Sequence, residues 1–139
     1  MDIRVAAYGV IVDDGRILLA HWNENGRSGW TLPGGGIEPG EDPVDAVVRE
    51  IAEETGYTAK AGPLLGIDSH IVPAEQRFVA DAGPLHALRI LYRSEVVSGS
   101  LRNEVGGSTD EAVWFRLEAI PSRRVELVNI GLRMAGFRP

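Results

Sequence analysis

The chain opens with a run of apolar and β-branched residues, at positions 3–12, that is typical of a β-strand. Two aspartates and a glycine at 13–15 form a turn signal, and a second apolar run follows at 17–20. The pattern therefore predicts a strand pair joined by this turn. The polar, glycine-containing stretch at 23–29 is expected to be a loop, and residues 30–33 a short extended segment.

Apolar residues then recur at helical spacing between a helix-starting and a helix-ending signal. Asp42 suits the N-cap, Pro43 the first helical position and Gly56 the stop just past the last turn. The apolar stripe between these signals consists of Val44, Val47, Val48 and Ile51. The sequence therefore predicts a helix that starts at Pro43 and ends before Gly56, and we expect the glycines at 34–36 before it to form a loop.

The remainder of the chain predicts three more strands and a second helix. The expected segments are strands at 57–71, 85–97 and 112–117, loops at 73–84 and 98–109, and a helix at 122–135. Strands that alternate with helices in this way predict an α/β fold with a mixed sheet between helices.

Composition narrows the class of protein. The length of 139 residues predicts one domain over 1–139, and the apolar and charged fractions are those of ordinary globular proteins. The 14 basic and 20 acidic residues give a formal net charge of −6. Because an acidic protein repels phosphate backbones, we expect no nucleic-acid polymer as a partner.

Neither a membrane nor an oxidising compartment is indicated by the sequence. Residues 1–4 show no charged leader followed by an apolar stretch, and no apolar run approaches the roughly 20 residues that span a bilayer. The absence of cysteine excludes disulfides and thiolate metal sites. We therefore expect a cytoplasmic protein without a membrane partner.

Three glutamates on the predicted helix are candidates for a metal site. Glu50, Glu53 and Glu54 are spaced so that they share one face, and like charges at this spacing repel one another. Arg49 offsets part of that repulsion, and a divalent cation would offset more. Carboxylate oxygens without nearby cysteine or histidine suit Mg²⁺ or Mn²⁺. The alternative interpretation is a solvated acidic face.

The loop that precedes the helix favours the metal interpretation. Residues 33–40 contain four glycines, and such loops let backbone groups approach a ligand closely. A glycine-rich loop beside an acidic helix can cradle a diphosphate, although a plain flexible connection is the alternative for the loop alone.

These residues together resemble a complete Nudix box. Gly35 is followed after five residues by Glu41 and after seven more by the run Arg49 to Tyr57, which reads R-E-I-A-E-E-T-G-Y. Every fixed identity of the box has its expected spacing, and only Tyr57 departs from the pattern, since the family usually has an aliphatic residue there. The resemblance extends over nearly the whole chain, through the run at 110–115 that precedes the C-terminal helix.

The resemblance implies a fold and a set of residue roles. The fold is the α/β/α sandwich of the Nudix family, with a mixed sheet between helices. Its chemistry is the attack of water on phosphorus with the help of Mg²⁺, for which Mn²⁺ can substitute. The implied metal-binding residues are Glu50, Glu53, Glu54 and the backbone carbonyl of Gly34. The resemblance further implies that Arg49 orients the glutamates and that Glu41 stabilises the junction of loop and helix.

The general base is less determined by the resemblance, because family members use either the position of Glu50 or a carboxylate on a later loop. The later candidates here are Glu104, Asp110 and Glu111. We expect Glu111, since an acidic residue shortly before the strand that carries Trp114 is frequent in the family. An exposed charge at the strand edge is the alternative for Glu111.

Other polar and aromatic residues are weaker candidates. The histidines at 21, 70 and 86 are scattered and show no metal-ligand spacing, and the arginines at 27, 77 and 89 are each expected to form surface salt bridges rather than phosphate contacts. Trp30 is expected in the core, whereas Trp22 and Phe78 are candidates for stacking on a base.

The resemblance implies a small-molecule nucleotide substrate but does not identify it. Pro73 lies sixteen residues beyond Tyr57, where members that cleave ADP-ribose tend to have a proline. The chain is also short, like members that hydrolyse (d)NTPs, including oxidised ones, so both substrate classes stay open. A non-catalytic, nucleotide-sensing Nudix module is the alternative function, and homodimers are common in the family.

Overall fold

The computed structural model describes residues 1–77, 79 and 81–139, which form eight strands and two α-helices. The strands are β1 Asp2–Val10, β2 Val12–Asp13, β3 Arg16–Glu24, β4 Arg27–Thr31, β5 Gly34–Gly36, β6 Tyr57–Val72, β7 Leu85–Gly99 and β8 Thr109–Arg116. The helices are α1 Pro43–Thr55 and α2 Glu126–Met134, and short 3₁₀ turns cover Ala74–Gln76 and Leu117–Ala119.

The strands form two sheets, and the first of them is the mixed sheet that was predicted. The first is mixed and has the order β5-β1-β7-β6, with β1 and β7 parallel. In the second, β3 pairs antiparallel with β2, β4 and β8. The chain changes sheets at Ile11, a buried residue that interrupts the first predicted strand. The strand before the first turn therefore pairs with β7, and only its short continuation β2 forms the expected hairpin.

Two tight turns shape the second sheet. In the first, Asp14 and Gly15 both have positive φ, as a two-residue hairpin turn requires, which confirms the turn predicted at 13–15. In the second, Asn25 and Gly26 have the same geometry and connect β3 to β4. The loop predicted at 23–29 is therefore wrong, because an Asn-Gly pair closes a hairpin in two residues and leaves the flanking polar residues in strands.

The glycines at 34–36 also form a strand, β5, where a loop was predicted. They pair antiparallel with residues 6–8 of β1. A Cβ on Gly34 would lie 2.3 Å from the carbonyl oxygen of Ala7, so the close approach of the two backbones excludes a side chain there. The lack of a side chain at Gly34 permits this approach, and the strand pairs with β1 through its backbone.

Helix α1 has the predicted bounds. Gly56 has φ 82° and donates its N–H to the carbonyl of Ala52, which ends the helix as expected. Asp42 occupies the N-cap position as predicted, although its side chain makes no capping hydrogen bond. Within the apolar stripe, Val47 and Ile51 are fully buried while Val44 stays 44% exposed.

Helix α2 is shorter than the predicted 122–135. The residues before it bond to strand β4 instead of continuing the helix: Trp30 N–H donates to the carbonyl of Arg123, and Val125 N–H donates to the carbonyl of Trp30. These bonds hold the lead-in extended, so the helix begins at Glu126. The other predicted strands are confirmed, with β7 and β8 each a little longer than expected.

Each helix covers its own apolar core. Adjacent side chains of β3 point to opposite faces, so that Ile17 and Leu19 pack in the core under α2 while Leu18 packs in the core under α1. The resulting layers confirm the predicted α/β/α sandwich. In the described part of the chain, no helix has both the length and the apolar character needed to cross a membrane.

Gly131 offers a test of the α2 core. A Cβ at this position would lie 2.8 Å from Leu32 Cδ1 and 3.0 Å from Val10 Cγ2, inside a fully buried cluster. Ala is a better helix former than Gly by about 1 kcal/mol, but overpacking a core costs about 1–3 kcal/mol. We therefore expect Gly131→Ala to lower the free energy of unfolding by roughly 1 kcal/mol in urea denaturation. Gly83→Ala is the control, since nothing lies within 4 Å of its Cβ position; equal effects of the two changes would contradict the packing argument.

Candidate active site

The last two turns of α1 face strand β5, and Glu54 connects the two elements. Its side chain is buried, with 4% exposure, and its Oε1 accepts a hydrogen bond of 2.7 Å from the backbone N–H of Gly34. Burial raises the pKa of Glu54 well above its usual value, the Gly34 bond opposes this, and repulsion from Glu50, Glu104 and Glu53 adds to it.

Glu50 lies one turn earlier, against the middle residue of β5. A Cβ on Gly35 would lie 2.8 Å from the Glu50 carboxyl group, so glycine is required for this contact. Burial also raises the pKa of Glu50, and the adjacent Arg49 guanidinium opposes that rise. Two partly desolvated carboxylates therefore sit together against a strand that carries no side chains.

Arg49 holds this group of acids together. Its Nε and Nη2 donate to the two oxygens of Glu41 at 2.8 and 3.0 Å, and its Nη1 donates to Glu50 at 3.0 Å and to Glu53 at 3.3 Å. Its Nη2 also donates to the carbonyl of Gly36 at 3.1 Å. The structure thus places Arg49 where one cation contacts the box loop, the loop–helix junction and two box carboxylates.

The pairing of Arg49 with Glu41 shifts the pKa values of both residues. The hydrogen bonds from Arg49 lower the pKa of Glu41 to about 2, and the same bonds raise the pKa of Arg49. Glu41 also accepts a bond of 3.0 Å from the backbone N–H of Glu38, which closes the loop before the helix. The contacts of Glu41 are those expected of a residue at the loop–helix junction.

The carboxylates fit a divalent cation in donor chemistry but do not form a complete ligand set. Across residues 1–77, 79 and 81–139, no three acidic or histidine side chains converge closely enough to hold a metal ion by themselves. Mg²⁺ commonly takes only one or two protein carboxylates and completes its shell with water and substrate phosphate. A cation would offset the repulsion among Glu50, Glu53 and Glu54. It would also offset the cost of burying the Glu54 charge.

Glu104 is the later carboxylate that the fold brings to this group. It is among the charges that raise the pKa of Glu50 and of Glu54, and its Oε1 accepts a 2.6 Å bond from the hydroxyl of Thr109. A Cβ on Gly107 would overlap the carboxyl group at 2.3 Å, so the loop before β8 folds tightly around Glu104.

Glu111 and Asp110 are placed elsewhere. Glu111 is exposed on β8 opposite His21 and is not among the charges that act on Glu50 or Glu54. Asp110 accepts bonds from Asn23 Nδ2 at 3.0 Å and His21 Nδ1 at 2.8 Å, and these bonds lower its pKa. The expectation for Glu111 rested on its distance in sequence from Trp114, which does not say on which face of the strand a side chain lies. The sequence features that could have pointed to Glu104 are the nearby Thr109, which bonds to it, and the glycines at 106–107, where the loop folds around it.

The arginines at 77 and 89 form the surface ion pairs expected of them. Arg77 contacts Asp2 at 3.1 Å, and Arg89 Nε donates to Asp68 at 3.0 Å. Arg27 donates to the carbonyl of Gln76 at 3.0 Å.

Among the aromatic candidates, Trp30 packs against the α2 core and meets Phe115 edge-on at 4.7 Å, which confirms its predicted core position. Trp22 Nε1 donates to Glu24 at 3.1 Å, and Phe78 lies outside the described residues. His86 bonds to Ser69 and His21 to Asp110, so these two histidines lie in separate contacts.

The depressed pKa of Glu41 predicts a defined pH dependence of stability. A carboxyl whose folded pKa lies near 2, below its ordinary value of 4.5, stabilises the fold fully above pH 4.5 and loses that contribution as the pH falls toward 2. We expect the difference in unfolding free energy between wild type and Glu41→Gln to be constant at neutral pH and to shrink below pH 4.5, as measured by urea denaturation. The shifts of Glu50 and Glu54 occur in both proteins, so they largely cancel in the difference. A difference that grows on acidification would contradict the pairing.

The sequence and the structure of the chain are similar to those of known proteins of one family. The model of the NUDIX domain matches residues 2–132. An ADP-ribose pyrophosphatase of Methanocaldococcus jannaschii is 38% identical over 119 residues, which cover 84% of this chain and 64% of that protein. A relative from Bacillus subtilis is 32% identical over 114 residues and is covered over 50% of its length. The chain thus spans between half and two thirds of the length of these two relatives.

Solved structures agree with the sequence match. The crystal structure of a MutT NUDIX hydrolase from Burkholderia pseudomallei is 30% identical, with a TM-score of 0.81 over 96% of this chain and 98% of that one. A NUDIX hydrolase from Nitrosomonas europaea is 26% identical, with the same TM-score over 99% and 92% of the two chains. A family match over almost the whole chain, together with a box whose glutamates, arginine and glycines lie together in space, shows that this chain belongs to the Nudix family.

Proposed function

We propose that the chain is a metal-dependent hydrolase that cleaves the diphosphate linkage of an ADP-ribose-like nucleotide. The observation that carries this proposal is the buried Glu54 carboxylate, which is bonded to the Gly34 backbone and is repelled by the charges of Glu50, Glu53 and Glu104. Burial of a charged carboxylate is costly unless the charge is paired or coordinates a metal ion, and such perturbed groups cluster at functional sites.

Glu50, Glu53 and Glu54 would hold the cation, with the carbonyl of Gly34 as a further donor. Oxygen donors alone favour Mg²⁺, with Mn²⁺ as a substitute. When bound, the ion would neutralise phosphate charge and make a coordinated water a better nucleophile. An ion at this place would also let a protein of net charge −6 bind a polyanionic substrate.

The protein's own residues have separate tasks in this proposal. Arg49 keeps Glu50 and Glu53 in position through its hydrogen bonds, and the absence of a side chain on Gly35 leaves room for Glu50 beside the strand. Glu104 acts as general base: it takes a proton from the water whose oxygen attacks phosphorus, while the bridging P–O bond breaks and its oxygen leaves with the second phosphate. The hydroxyl of Thr109 fixes the Glu104 carboxylate for this task.

The substrate class is proposed from the relatives rather than from the pocket. The Methanocaldococcus jannaschii relative carries the name ADP-ribose pyrophosphatase, and Pro73 is consistent with that class. A (d)NTP is the second candidate, because the chain is short, like family members that hydrolyse (d)NTPs, and 96% of it matches a structure described as a MutT NUDIX hydrolase. A nucleotide sensor without turnover is the alternative to both.

We also propose a cytoplasmic location and no nucleic-acid polymer or membrane as partner. The supporting observations are the absence of cysteine and the net charge of −6. The substrate would then be a small nucleotide bound from solution.

The proposal is tested by hydrolysis of a nucleotide panel with and without Mg²⁺: ADP-ribose, common and oxidised (d)NTPs, nucleotide sugars and dinucleoside polyphosphates, with products resolved by chromatography. We expect ADP-ribose-like compounds to be cleaved between the phosphates only when the metal is present. Glu53→Gln and Glu54→Gln should each lower kcat by about 10²-fold or more, because each removes a charge that the cation requires. Glu118→Gln, a change at an exposed residue far along the chain, is the control. Stabilisation by a nucleotide without any turnover would establish the sensor instead.

The choice of general base is tested by a matched pair of variants. We expect Glu104→Gln to lower kcat by about 10²–10⁴-fold at saturating metal, as the loss of a general base does. Glu111→Gln should retain near wild-type kcat, because its exposed side chain lies outside the group of interacting carboxylates. The reverse pattern would assign the base to Glu111 and overturn the role of Glu104.

A further inference from the structure

The segment at 103–108, which we call the Glu104 loop, leads into β8 and is not held by apolar packing. Its one large apolar side chain, Val105, is 96% exposed. Gly106 has φ 82° and is followed by a second glycine, so the backbone of the loop has few steric limits of its own. The position of Glu104 therefore depends on the hydrogen bonds that fix this loop.

Two of these bonds connect the loop to β8. The hydroxyl of Thr109, the first residue of the strand, donates to Glu104 Oε1 at 2.6 Å. At the other end of the loop, Asn103 Oδ1 accepts a bond of 3.1 Å from the backbone N–H of Ala112. The place of the Glu104 carboxylate thus depends on where the first residues of β8 lie.

A β-bulge marks the start of β8. The register of β3 against β8 shifts between His21 and Trp22 and passes over Asp110. Beyond this shift, the backbone N–H of Asn23 donates to the carbonyl of Ser108 at 2.9 Å. A bulge adds a residue to one strand and turns a side chain out of its regular direction. The residue that the register passes over, Asp110, is the one whose carboxylate reaches β3.

The Asp110 carboxylate bonds two side chains of β3 at once. Its Oδ1 lies 2.8 Å from His21 Nδ1, and its Oδ2 accepts a bond of 3.0 Å from Asn23 Nδ2. The ring of His21 is held in turn by Trp30, whose ring centroid lies 4.9 Å away and which packs against the α2 core. The carboxylate therefore ties the bulge to a part of the fold that packing already fixes.

We propose that Asp110 is a positioning residue that anchors the Glu104 loop to β3 and so holds Glu104 in place for catalysis. Asp110 follows directly after Thr109, so the anchor lies next to the residue that bonds the Glu104 carboxylate. A shift of about 1 Å in a catalytic group can lower a rate about 100-fold. This role rests on the proposed function, in which Glu104 acts as general base.

The first measurement is the steady-state kinetics of Asp110→Ala with ADP-ribose at saturating Mg²⁺, or with the panel nucleotide that the wild type cleaves in its place. We expect kcat to fall about 10- to 100-fold while KM stays within about twofold, because the base is displaced and substrate binding is not. Asp110→Asn should keep most of the wild-type kcat, since its amide can still accept from Asn23 and donate to His21. Glu118→Ala is the matched control: it removes a carboxylate paired with Arg116 at the other end of β8 and should leave kcat unchanged.

A double variant separates positioning from a general weakening of the fold. In a Glu104→Gln background the base is already absent, so Asp110→Ala should lower kcat no further. A purely structural role would lower kcat by the same factor in both backgrounds. Ion pairs near the surface add little to stability, so Asp110→Ala should fold. If circular dichroism shows otherwise, His21→Phe takes its place, because it keeps a ring against Trp30 but cannot bond Asp110.

A spin label reports on the loop without any substrate. The chain contains no cysteine and Val105 is almost fully exposed, so Val105→Cys accepts a label at one position without disturbing the packing. We expect Asp110→Ala to narrow the electron paramagnetic resonance lines of this label, because the loop moves more freely without its anchor. A label at Val97→Cys, on β7, is the control and should give the same line shape with and without Asp110→Ala.

The outcomes distinguish failure of this role from failure of the proposed function. If Glu104→Gln loses activity but folded Asp110→Ala keeps the wild-type kcat, Asp110 does not position the base. Equal losses of kcat in both backgrounds, or an unchanged line shape at Val105→Cys, overturn the role as well. If Glu104→Gln keeps the wild-type kcat, or no nucleotide is turned over, the proposed function fails and the role of Asp110 in catalysis fails with it.

Discussion

The hydrogen bond from the Gly34 backbone to Glu54 is the contact on which the site depends. It joins the last turn of α1 to β5, and it forms only because helix and strand approach within the reach of a carboxylate. The approach in turn requires glycine in β5, where a Cβ on Gly34 or Gly35 would meet backbone or carboxyl atoms below 3 Å. Helix bounds, glycine run and acidic residues are therefore parts of one arrangement rather than separate motifs.

Arg49 lowers the electrostatic cost of placing these acidic groups close together. Four acidic groups lie near the C-terminal half of α1, where the helix dipole offers them no support. One guanidinium with a planar set of donors bonds two of them, Glu50 and Glu53, and also bonds Glu41 before the helix and a loop carbonyl. A lysine could supply the charge but not the simultaneous directions of these bonds. Glu54, which is bonded to the Gly34 backbone instead, keeps a pKa well above its usual value because of its burial.

Much of the fold followed from local patterns, and the failures share a cause. Helix α1 was predictable because Pro43, Gly56 and the apolar stripe act within the helix itself. Strand β5 was missed because three glycines carry no sequence signal for a strand. Its partner, β1, is remote in sequence. Likewise, the late start of α2 depends on bonds to Trp30. In the site, the box residues were predictable from spacing, whereas Glu104 lies in a loop without periodicity, where only three-dimensional structure shows its neighbours.

The hairpin between β3 and β4 is joined to the site by a short segment of chain. Trp30 exchanges two backbone hydrogen bonds with the lead-in of α2, and only three residues separate it from Gly34. The backbone N–H of Gly34 donates to Glu54 Oε1, so any ligand that draws this oxygen away must compete with that donor. The exchange rate of this one amide hydrogen with solvent therefore reports, from the backbone side, whether the buried carboxylate is held by the protein or by something else.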